Sequence, residues 1–260
     1  NFGTARGGGA SGVEGGATLN LGLASAPTLR NLSGAGSVVI PGGTSESPGL
    51  SLTVDGGMAT TFSGVISGAN NSNLLITTRP GTTGTGTVVL AGANSYAGGT
   101  RICNCTVLQL GNGGASGSIL NDVANAGTLA FNRSDAYTFA GVISNDTLTP
   151  GSAGRVVQMG SGTTILTGTN TYSGGTTITA GTLSVSRDAN LGAAAGGLFF
   201  NGGVLQITGT SFTTARTITF GNGGGGLDIA DPAFTFTLAA ALTGPGGFSK
   251  AGPGVAVLSG

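Results

Sequence analysis

The chain has 260 residues, of which 54 are glycine and only 7% are charged, and its formal net charge at pH 7 is zero. The glycines follow no strict three-residue period, which excludes a collagen triple helix, and recurring short runs of Val, Ile, Leu and Phe argue against a disordered glycine–serine chain. Because there is neither a net basic charge nor a run of about 18 apolar residues, the sequence predicts no nucleic-acid binding and no membrane-spanning helix.

Residues 1–60 carry loose strand-like runs that are separated by glycine- and serine-rich turns. These runs are GATLNLG at Gly16–Gly22, SVVIPG at Ser37–Gly42 and LSLTV at Leu50–Val54. The opening residues NFGTARGGGASG contain no apolar segment of the kind found in a signal peptide. We therefore expect any signal peptide to have been removed or to lie outside this sequence.

From residue 61 onward, the same strand and turn segments recur in the same order. FSGVISG at Phe62–Gly68 returns as FAGVISN at Phe139–Asn145. GTVVLAGANSYAGGT at Gly86–Thr100 returns at nearly the same offset as GTTILTGTNTYSGGT at Gly162–Thr176. Weaker or shorter matches are GTLAF at 127–131 with GVLQI at 203–207, LAAALTG at 238–244, and GVAVLSG from 254. The longer spacing before LAAALTG predicts about one additional strand–turn set after Ile207.

The local pattern predicts an all-β protein, because apolar residues alternate over short runs and no segment keeps a 3.6-residue period for three turns. A β-sandwich gives no reason for several strand–turn sets to repeat in one order, whereas a right-handed parallel β-helix stacks equivalent coils. With coils of roughly 20–25 residues, the repeated block corresponds to about three coils and the chain to about a dozen. A spacing of about 4.8 Å per coil then gives a rod about 50–60 Å long.

We expect residues 1–260 to form a single β-helical domain, with divergent coils over 1–60 and clear repeats over 61–260. Val, Ile, Leu and Phe are predicted to fill the interior, while Thr, Ser and Asn face water. Arg79, Gln158 and Lys250 stand at loosely equivalent places but differ in charge, so we expect all three to be outward and solvated.

Two repeated corners carry the aromatic and glycine residues that the copies share. Tyr96 and Tyr172 are equivalent and identical, which predicts a common packing role rather than a cofactor site. The neighbouring glycines are predicted to shape the same corner; they are Gly98, Gly99, Gly174 and Gly175.

The two cysteines, Cys103 and Cys105, form a C-x-C in a loop that is one residue longer than the corresponding Thr179–Gly181. A single C-x-C lacks the further ligands of a zinc site, since the sequence has no His and no second Cys pair. Two alternatives stay open for this predicted surface loop. The cysteines form a local disulfide, or they are two free thiols.

The sequence predicts no catalytic, cofactor or metal site. Without His, a Ser-His-Asp or Cys-His arrangement is impossible, and only Asp228 and Asp231 are close in sequence. The other carboxylates are predicted to be isolated turn residues and solvated caps; they include Glu14, Glu46, Asp55, Asp122, Asp135, Asp146 and Asp188. GGGGLD at Gly223–Asp228 fits the start of a calcium-binding nonapeptide, but it occurs once, so a glycine-rich corner is the favoured interpretation.

The segments GTNTYSGGTTITAGTL at Gly168–Leu183, FSGVISG and GTTILTG resemble the passenger-associated repeat of autotransporters, the type V secreted proteins of Gram-negative bacteria. GFSKAGPGVAVLSG at Gly247–Gly260 is similar to the strand pair that precedes another such repeat. The resemblance is strongest over Thr61–Gly260 and loose over Asn1–Thr60. It implies export, translocation by a C-terminal outer-membrane β-barrel, and a parallel β-helical passenger at the cell surface. This sequence shows no signal peptide, barrel strands or amphipathic linker helix, so we expect a fragment or a processed passenger.

The leading functional hypothesis is a non-catalytic extracellular protein at the bacterial surface, either the stalk of an adhesin or a subunit of a self-associating fibre, and the resemblance favours the stalk. The second form follows from unpaired strand edges at both ends and from low charge, which predict contacts with neighbouring copies. An unknown surface or host ligand is the other expected partner, and nucleic acid is not expected. The alternatives are a polysaccharide-cleaving or proteolytic β-helical enzyme whose active site lies outside this stretch, and a bare spacer.

Overall fold

The computed structural model describes residues 9–22, 27–41, 49–69 and 71–260. These residues form 29 short strands and a single four-residue 3-10 turn. The strands before residue 80 are β1 (Gly12–Val13), β2 (Thr18–Asn20), β3 (Thr28–Arg30), β4 (Ser33–Gly34), β5 (Ser37–Val39), β6 (Leu50–Val54), β7 (Ala59–Phe62), β8 (Val65–Ser67) and β9 (Leu74–Thr78).

The middle of the chain contains β10 (Gly86–Leu90), β11 (Thr100–Ile102), β12 (Thr106–Leu110), β13 (Val123–Asn125), β14 (Thr128–Phe131), β15 (Ala136–Phe139), β16 (Ile143–Asn145), β17 (Arg155–Gln158), β18 (Thr163–Leu166) and β19 (Thr176–Ile178). The remainder contains β20 (Thr182–Val185), the 3-10 turn Asp188–Leu191, β21 (Leu198–Phe200), β22 (Val204–Ile207), β23 (Phe212–Thr214), β24 (Ile218–Phe220), β25 (Gly225–Ile229), β26 (Thr235–Leu238), β27 (Leu242–Thr243), β28 (Phe248–Ala251) and β29 (Val255–Leu258).

The strands stack in parallel as a β-solenoid with three faces, which confirms the predicted all-β parallel architecture. The first face is one sheet of eleven strands, in the order β1-β4-β7-β10-β12-β14-β17-β19-β21-β24-β27. The second face contains β2-β5-β8 and then β15-β18-β20-β22-β25-β28, and the third contains β3-β6-β9-β11-β13-β16 and then β23-β26-β29. Eleven strands on one face correspond to eleven coils, close to the predicted dozen.

Coil length varies more than the sequence pattern suggested. On the first face, the coil from Thr87 to its partner Val107 and the coil from Val107 to Thr128 are nearly equal in length. The next coil, from Thr128 to Arg155, is clearly longer. It contains a loop, residues 146–154, between the third and first faces. Among the described residues, no helix is both long and apolar enough to cross a bilayer.

The interior is a narrow column of stacked side chains. Alternate residues of each strand point inward, as in β6, where Leu50, Leu52 and Val54 are buried and Ser51 and Thr53 are half-buried. Phe200 stacks on Phe220 of the next coil with ring centroids 5.1 Å apart. Burying an apolar side chain of this size contributes about 1.5–3 kcal/mol, so the column is the main source of stability.

The prediction that Thr, Ser and Asn face water is wrong for a distinct set of positions. Buried members of this set are Asn31, Thr60, Ser72, Asn94, Thr100, Thr106, Asn125, Thr164, Asn170, Thr176, Ser184, Asn190 and Thr214. Several accept or donate hydrogen bonds at the corners, where the backbone leaves the sheet ladder and its polar groups need other partners. Threonine and asparagine therefore also belong to the interior of this solenoid.

Equivalent segments of the two repeats lie on different faces, which refines the prediction of about three coils per block. Thr87 in β10 leads through its first-face partners to Arg155 in β17 after three coils. Its sequence equivalent, Thr163, lies eight residues farther on, in β18 of the second face, where it pairs with Ala136. One repeat therefore advances three and one third coils. Each repeat is displaced by one face around the solenoid axis.

The same displacement holds for the other repeated segments. FSGVISG contains β8 on the second face, whereas FAGVISN contains β16 on the third face. GTLAF forms β14 on the first face and GVLQI forms β22 on the second. Before LAAALTG the chain adds β23, β24 and β25, which is a whole coil rather than the single strand–turn set predicted.

Candidate functional site: repeat corners and a groove on the third face

The two repeat corners bury their tyrosines and join each one to a threonine four residues later. Tyr96 follows β10, and its hydroxyl lies 2.5 Å from Oγ1 of Thr100. Tyr172 follows β18, and its hydroxyl lies 2.7 Å from Oγ1 of Thr176. Both rings are buried, so the corner is a packed part of the interior and each phenol keeps a polar partner.

Three of the four corner positions require glycine, for different structural reasons. A Cβ at Gly98 would lie 2.6 Å from the backbone nitrogen of Asn73, and one at Gly174 would lie 2.8 Å from the carbonyl oxygen of Gly154, so both are positions of close backbone approach. Gly175 has a φ of 83°, in the left-handed region that favours glycine. Gly99 has neither constraint, since its nearest neighbour would be 3.4 Å from a Cβ.

A buried asparagine, which was not among the predicted site residues, completes each corner. Asn94 accepts a hydrogen bond at Oδ1 from the Ile66 backbone N–H (2.9 Å) and donates from Nδ2 to the carbonyl of Ser118 (3.0 Å). Asn170 accepts from the Ile143 N–H (2.8 Å) and donates to the carbonyl of Asn190 (2.6 Å). Each side chain thus connects the coil before it to the coil after it. The signal was present in the sequence, because Asn is identical at this place in GANSY and GTNTY.

We expect the folded chain to lose stability between pH 10 and pH 12 because of the corner tyrosines. Burial raises the pKa of Tyr172 from 10.0 to about 12 and raises the pKa of Tyr96 further. Because the pKa is raised in the folded state, the stability that each buried tyrosine contributes is fully present below pH 10 and is lost as the pH rises above 10. The expected slope is up to about 1.4 kcal/mol per pH unit for each tyrosine. Urea unfolding at pH 8, 10 and 11 measures it, and a Tyr96→Phe, Tyr172→Phe double variant should lose less over the same range. Equal losses in both proteins would contradict the assignment.

Both cysteines are free in the structure, where Cys103 is half-buried and Cys105 is exposed. The backbone of Cys105 has a φ of 58°, and the corresponding residue in the second copy is Gly181 with a φ of 54°. The Cys105 carbonyl accepts a hydrogen bond from the Thr78 hydroxyl at 2.7 Å, which holds the loop against the preceding coil. A local disulfide under oxidising conditions stays a prediction.

Four of the carboxylates that were predicted to be isolated are paired with arginines. The pairs are Arg30–Asp55 at 2.6 Å, Arg101–Asp146 at 2.9 Å, Arg133–Asp135 at 2.8 Å and Arg216–Asp188 at 2.9 Å. Hydrogen bonds from Arg30 and Asn31 lower the pKa of Asp55, and a hydrogen bond from Arg133 lowers the pKa of Asp135. The sequence did not reveal most of these pairs, because their partners are far apart along the chain and meet only where coils stack, one coil apart or, for Arg101 and Asp146, two coils apart.

Two of these arginines hold loops in place by donating side-chain hydrogen bonds to the backbone carbonyls of the loops. The Arg216 side chain is fully buried; beyond the two Asp188 carboxylate oxygens, it donates to the carbonyls of Gly192 (2.8 Å), Ala193 (2.6 Å) and Gly196 (2.9 Å). Arg133 donates in the same way to the carbonyls of Ala115 and Gly117, and it lies 4.7 Å above the ring of Tyr137. A guanidinium suits this task because it has five donors in a fixed plane.

A groove of about 370 Å³ runs along the third face over β9, β11, β13 and β16. Its floor consists of four outward residues that pair in register across these strands, Leu75, Arg101, Ala124 and Ser144. One rim is the 146–148 segment, in which the Leu148 side chain is 53% exposed. The other rim includes Asp122.

The charges of the groove are unevenly distributed. Arg101 crosses above Ala124 and donates from Nε to Oδ2 of the buried Asp146, which neutralises both groups. Thr149 supports this pair by donating its hydroxyl to the same oxygen at 2.6 Å. Asp122 accepts a hydrogen bond at Oδ1 from the Val142 N–H at 2.7 Å, and no arginine or lysine pairs with it among the described residues. The groove therefore carries one exposed negative charge beside a floor whose single charged residue, Arg101, is already paired.

The remaining predicted positions are dispersed. Asp228 accepts from Gln206 at 2.8 Å and Asp231 from the Ala233 N–H at 2.8 Å, so the two carboxylates bond to separate groups. The GGGGLD segment lies largely in β25, and the described residues contain no cluster of three or more metal-ligand side chains. The prediction for Gln158 is wrong because its side chain is buried and donates to the Gly160 carbonyl, whereas Arg79 and Lys250 are exposed. Glu46 lies outside the described residues.

Comparison with known proteins identifies the repeated segments. The family model for the passenger-associated-transport-repeat matches residues 82–104 and 156–185, which contain the two corners. The adhesin BmaC autotransporter of Brucella suis biovar 1 (strain 1330) is 36% identical over 216 residues, with 68% of this chain and 6% of that protein covered. The chain thus corresponds to a small part of that relative's length. No solved structure matches.

Proposed function

Because the chain is an autotransporter passenger that carries passenger-associated transport repeats, we propose that it is a non-catalytic structural and adhesive element of the bacterial cell surface. The observation that carries this proposal is the eleven-coil parallel stack, whose buried side chains join coil to coil at the repeat corners. Such a stack is long and thin and displays extended side-chain arrays to the outside. The similar Brucella protein is named an adhesin, which supports the same role.

The carboxylates also favour a structural role. Hydrolytic β-helices need clustered carboxylates with free oxygens, whereas Asp55, Asp135, Asp146 and Asp188 are each held by an arginine. We place the chain outside the cell, joined in its precursor to an outer-membrane β-barrel. Contacts between copies through the solenoid ends stay a prediction, and sedimentation at increasing concentration tests them.

We expect beads coated with the purified chain to adhere to host cells or to other bacteria more than beads coated with albumin. Chain that has been heat-denatured before coating is the matched control, since it keeps the composition but not the coil surfaces. Adhesion equal to that of the albumin beads would favour a spacer. Release of sugar reducing ends or of peptide fragments by the chain would contradict the non-catalytic assignment.

A further inference from the structure

The groove on the third face combines features that select one class of ligand. Its floor spans four strands, which at about 4.8 Å per strand gives a length of roughly 14 Å, or about four residues of extended peptide. Leu75, Ala124 and Leu148 supply apolar surface, and Ser144 and Thr147 supply hydroxyl groups along the same length. An extended peptide of about four residues would therefore contact both apolar and polar groups in the groove.

The sign of the ligand charge follows from the groups that are already paired. An anionic ligand would have to compete with Asp146 for Arg101. Asp146 is buried, and its carboxylate also accepts hydrogen bonds from the Leu148 N–H and the Thr149 hydroxyl. Asp122 is exposed and carries the charge that remains. A cationic side chain would gain the Asp122 carboxylate without displacing any of these bonds.

We propose that this groove binds an extended segment of a partner protein in which a lysine or arginine stands beside an apolar residue. The cationic group pairs with Asp122 at the rim, while the apolar side chain lies against the exposed Leu148. This assignment rests on the proposed adhesive function and names the chemistry of one partner. Other surfaces of the solenoid are free to contribute to adhesion separately.

The test uses two capped tetrapeptides as probes, acetyl-Leu-Lys-Val-Ser-amide and its Lys-to-Glu counterpart, titrated into the full chain and followed by amide NMR shifts. The lysine probe should shift resonances of β9, β11, β13 and β16, and the glutamate probe should not. Asp122→Asn, which keeps the Oδ1 acceptor for Val142, should weaken binding of the lysine probe by about threefold to tenfold, and added salt should do likewise. Leu148→Ser should also weaken it, whereas Asp228→Asn on the second face is the matched control and should not.

Equal binding of both probes, shifts that map to another face, or an unchanged affinity in Asp122→Asn would overturn the assignment. Preferential binding of galacturonic acid in the groove would overturn it in favour of an acidic sugar. The bead assay with Asp122→Asn separates this failure from failure of the proposed function. Adhesion that persists while the lysine probe fails leaves the adhesive role standing and removes the groove from it.

Discussion

Replacement of Arg216 by methionine is expected to lower the free energy of unfolding by about 3–5 kcal/mol, because several buried carbonyls lose a charged donor at about 1–3 kcal/mol each and Asp188, whose side chain is 28% exposed, loses its cation. Methionine fills much of the same volume but supplies no donor. Asp188 then loses its cation, and the carbonyls of Gly192, Ala193 and Gly196 lose their hydrogen bonds. The damage should be concentrated in residues 187–196, because stacked coils can open locally.

Urea unfolding followed by circular dichroism measures the global loss, and hydrogen exchange measures the opening of 187–196. Arg79→Met is the matched control. Arg79 is 47% exposed and lies 3.8 Å from Asp55, so its removal should cost about 1 kcal/mol or less. Adding Asp188→Asn to Arg216→Met should restore part of the loss, since it removes the unpaired charge. A loss for Arg216→Met no larger than that for Arg79→Met would show that the guanidinium is not what holds the loop.

The architecture could be predicted because it depends on local pattern and on repetition. Alternating runs such as LSLTV at Leu50–Val54 specify strands with one buried side, and ordered recurrence of several such runs specifies a stack. The equivalence of Tyr96 and Tyr172 also indicated a shared corner. Each strand pattern lies within a single coil, and the recurrence can be recognised by comparing the sequence with itself, so neither requires knowledge of how the coils align.

The features that could not be predicted depend on how coils align. Repetition shows that Thr87 and Thr163 are equivalent in sequence. Only the strand register shows that they lie on different faces, because the first-face position above Thr87 is taken by Arg155, eight residues before Thr163. Loop length decides this, because the coil from Thr128 to Arg155 is longer than the two coils before it. The Arg–Asp pairs and the groove have the same origin. Arg101 meets Asp146 only because two intervening registers place them together.

Deletion of Thr87–Gly162, which is one full repeat, is expected to give a folded solenoid. Gly86 is then followed by Thr163, so β18 takes the place of β10 above β7. Asn170 comes to lie above β8, where its Oδ1 can accept the Ile66 N–H that Asn94 accepts in the intact chain. The strand pairing and the corner hydrogen bond at the new junction thus have equivalents in the present structure, although all later coils are displaced by one face.

Deletion of Thr87–Gly154 is the matched control, because it removes three whole coils and returns the chain to the first face. β17 then lies above β7, but the corner with Asn170 lies above β9, which is a five-residue strand and not the equivalent of β16. A buried asparagine without its partners costs about 1–3 kcal/mol, and the adjoining side chains also lose their fit. We therefore expect the protein lacking Thr87–Gly154 to have a free energy of unfolding lower by at least about 2 kcal/mol than the protein lacking Thr87–Gly162. Urea unfolding of both proteins measures the difference. If the Thr87–Gly154 deletion is instead as stable as the Thr87–Gly162 deletion, then coils can stack whenever each strand keeps its own face. The order of segments within the repeat would then not matter.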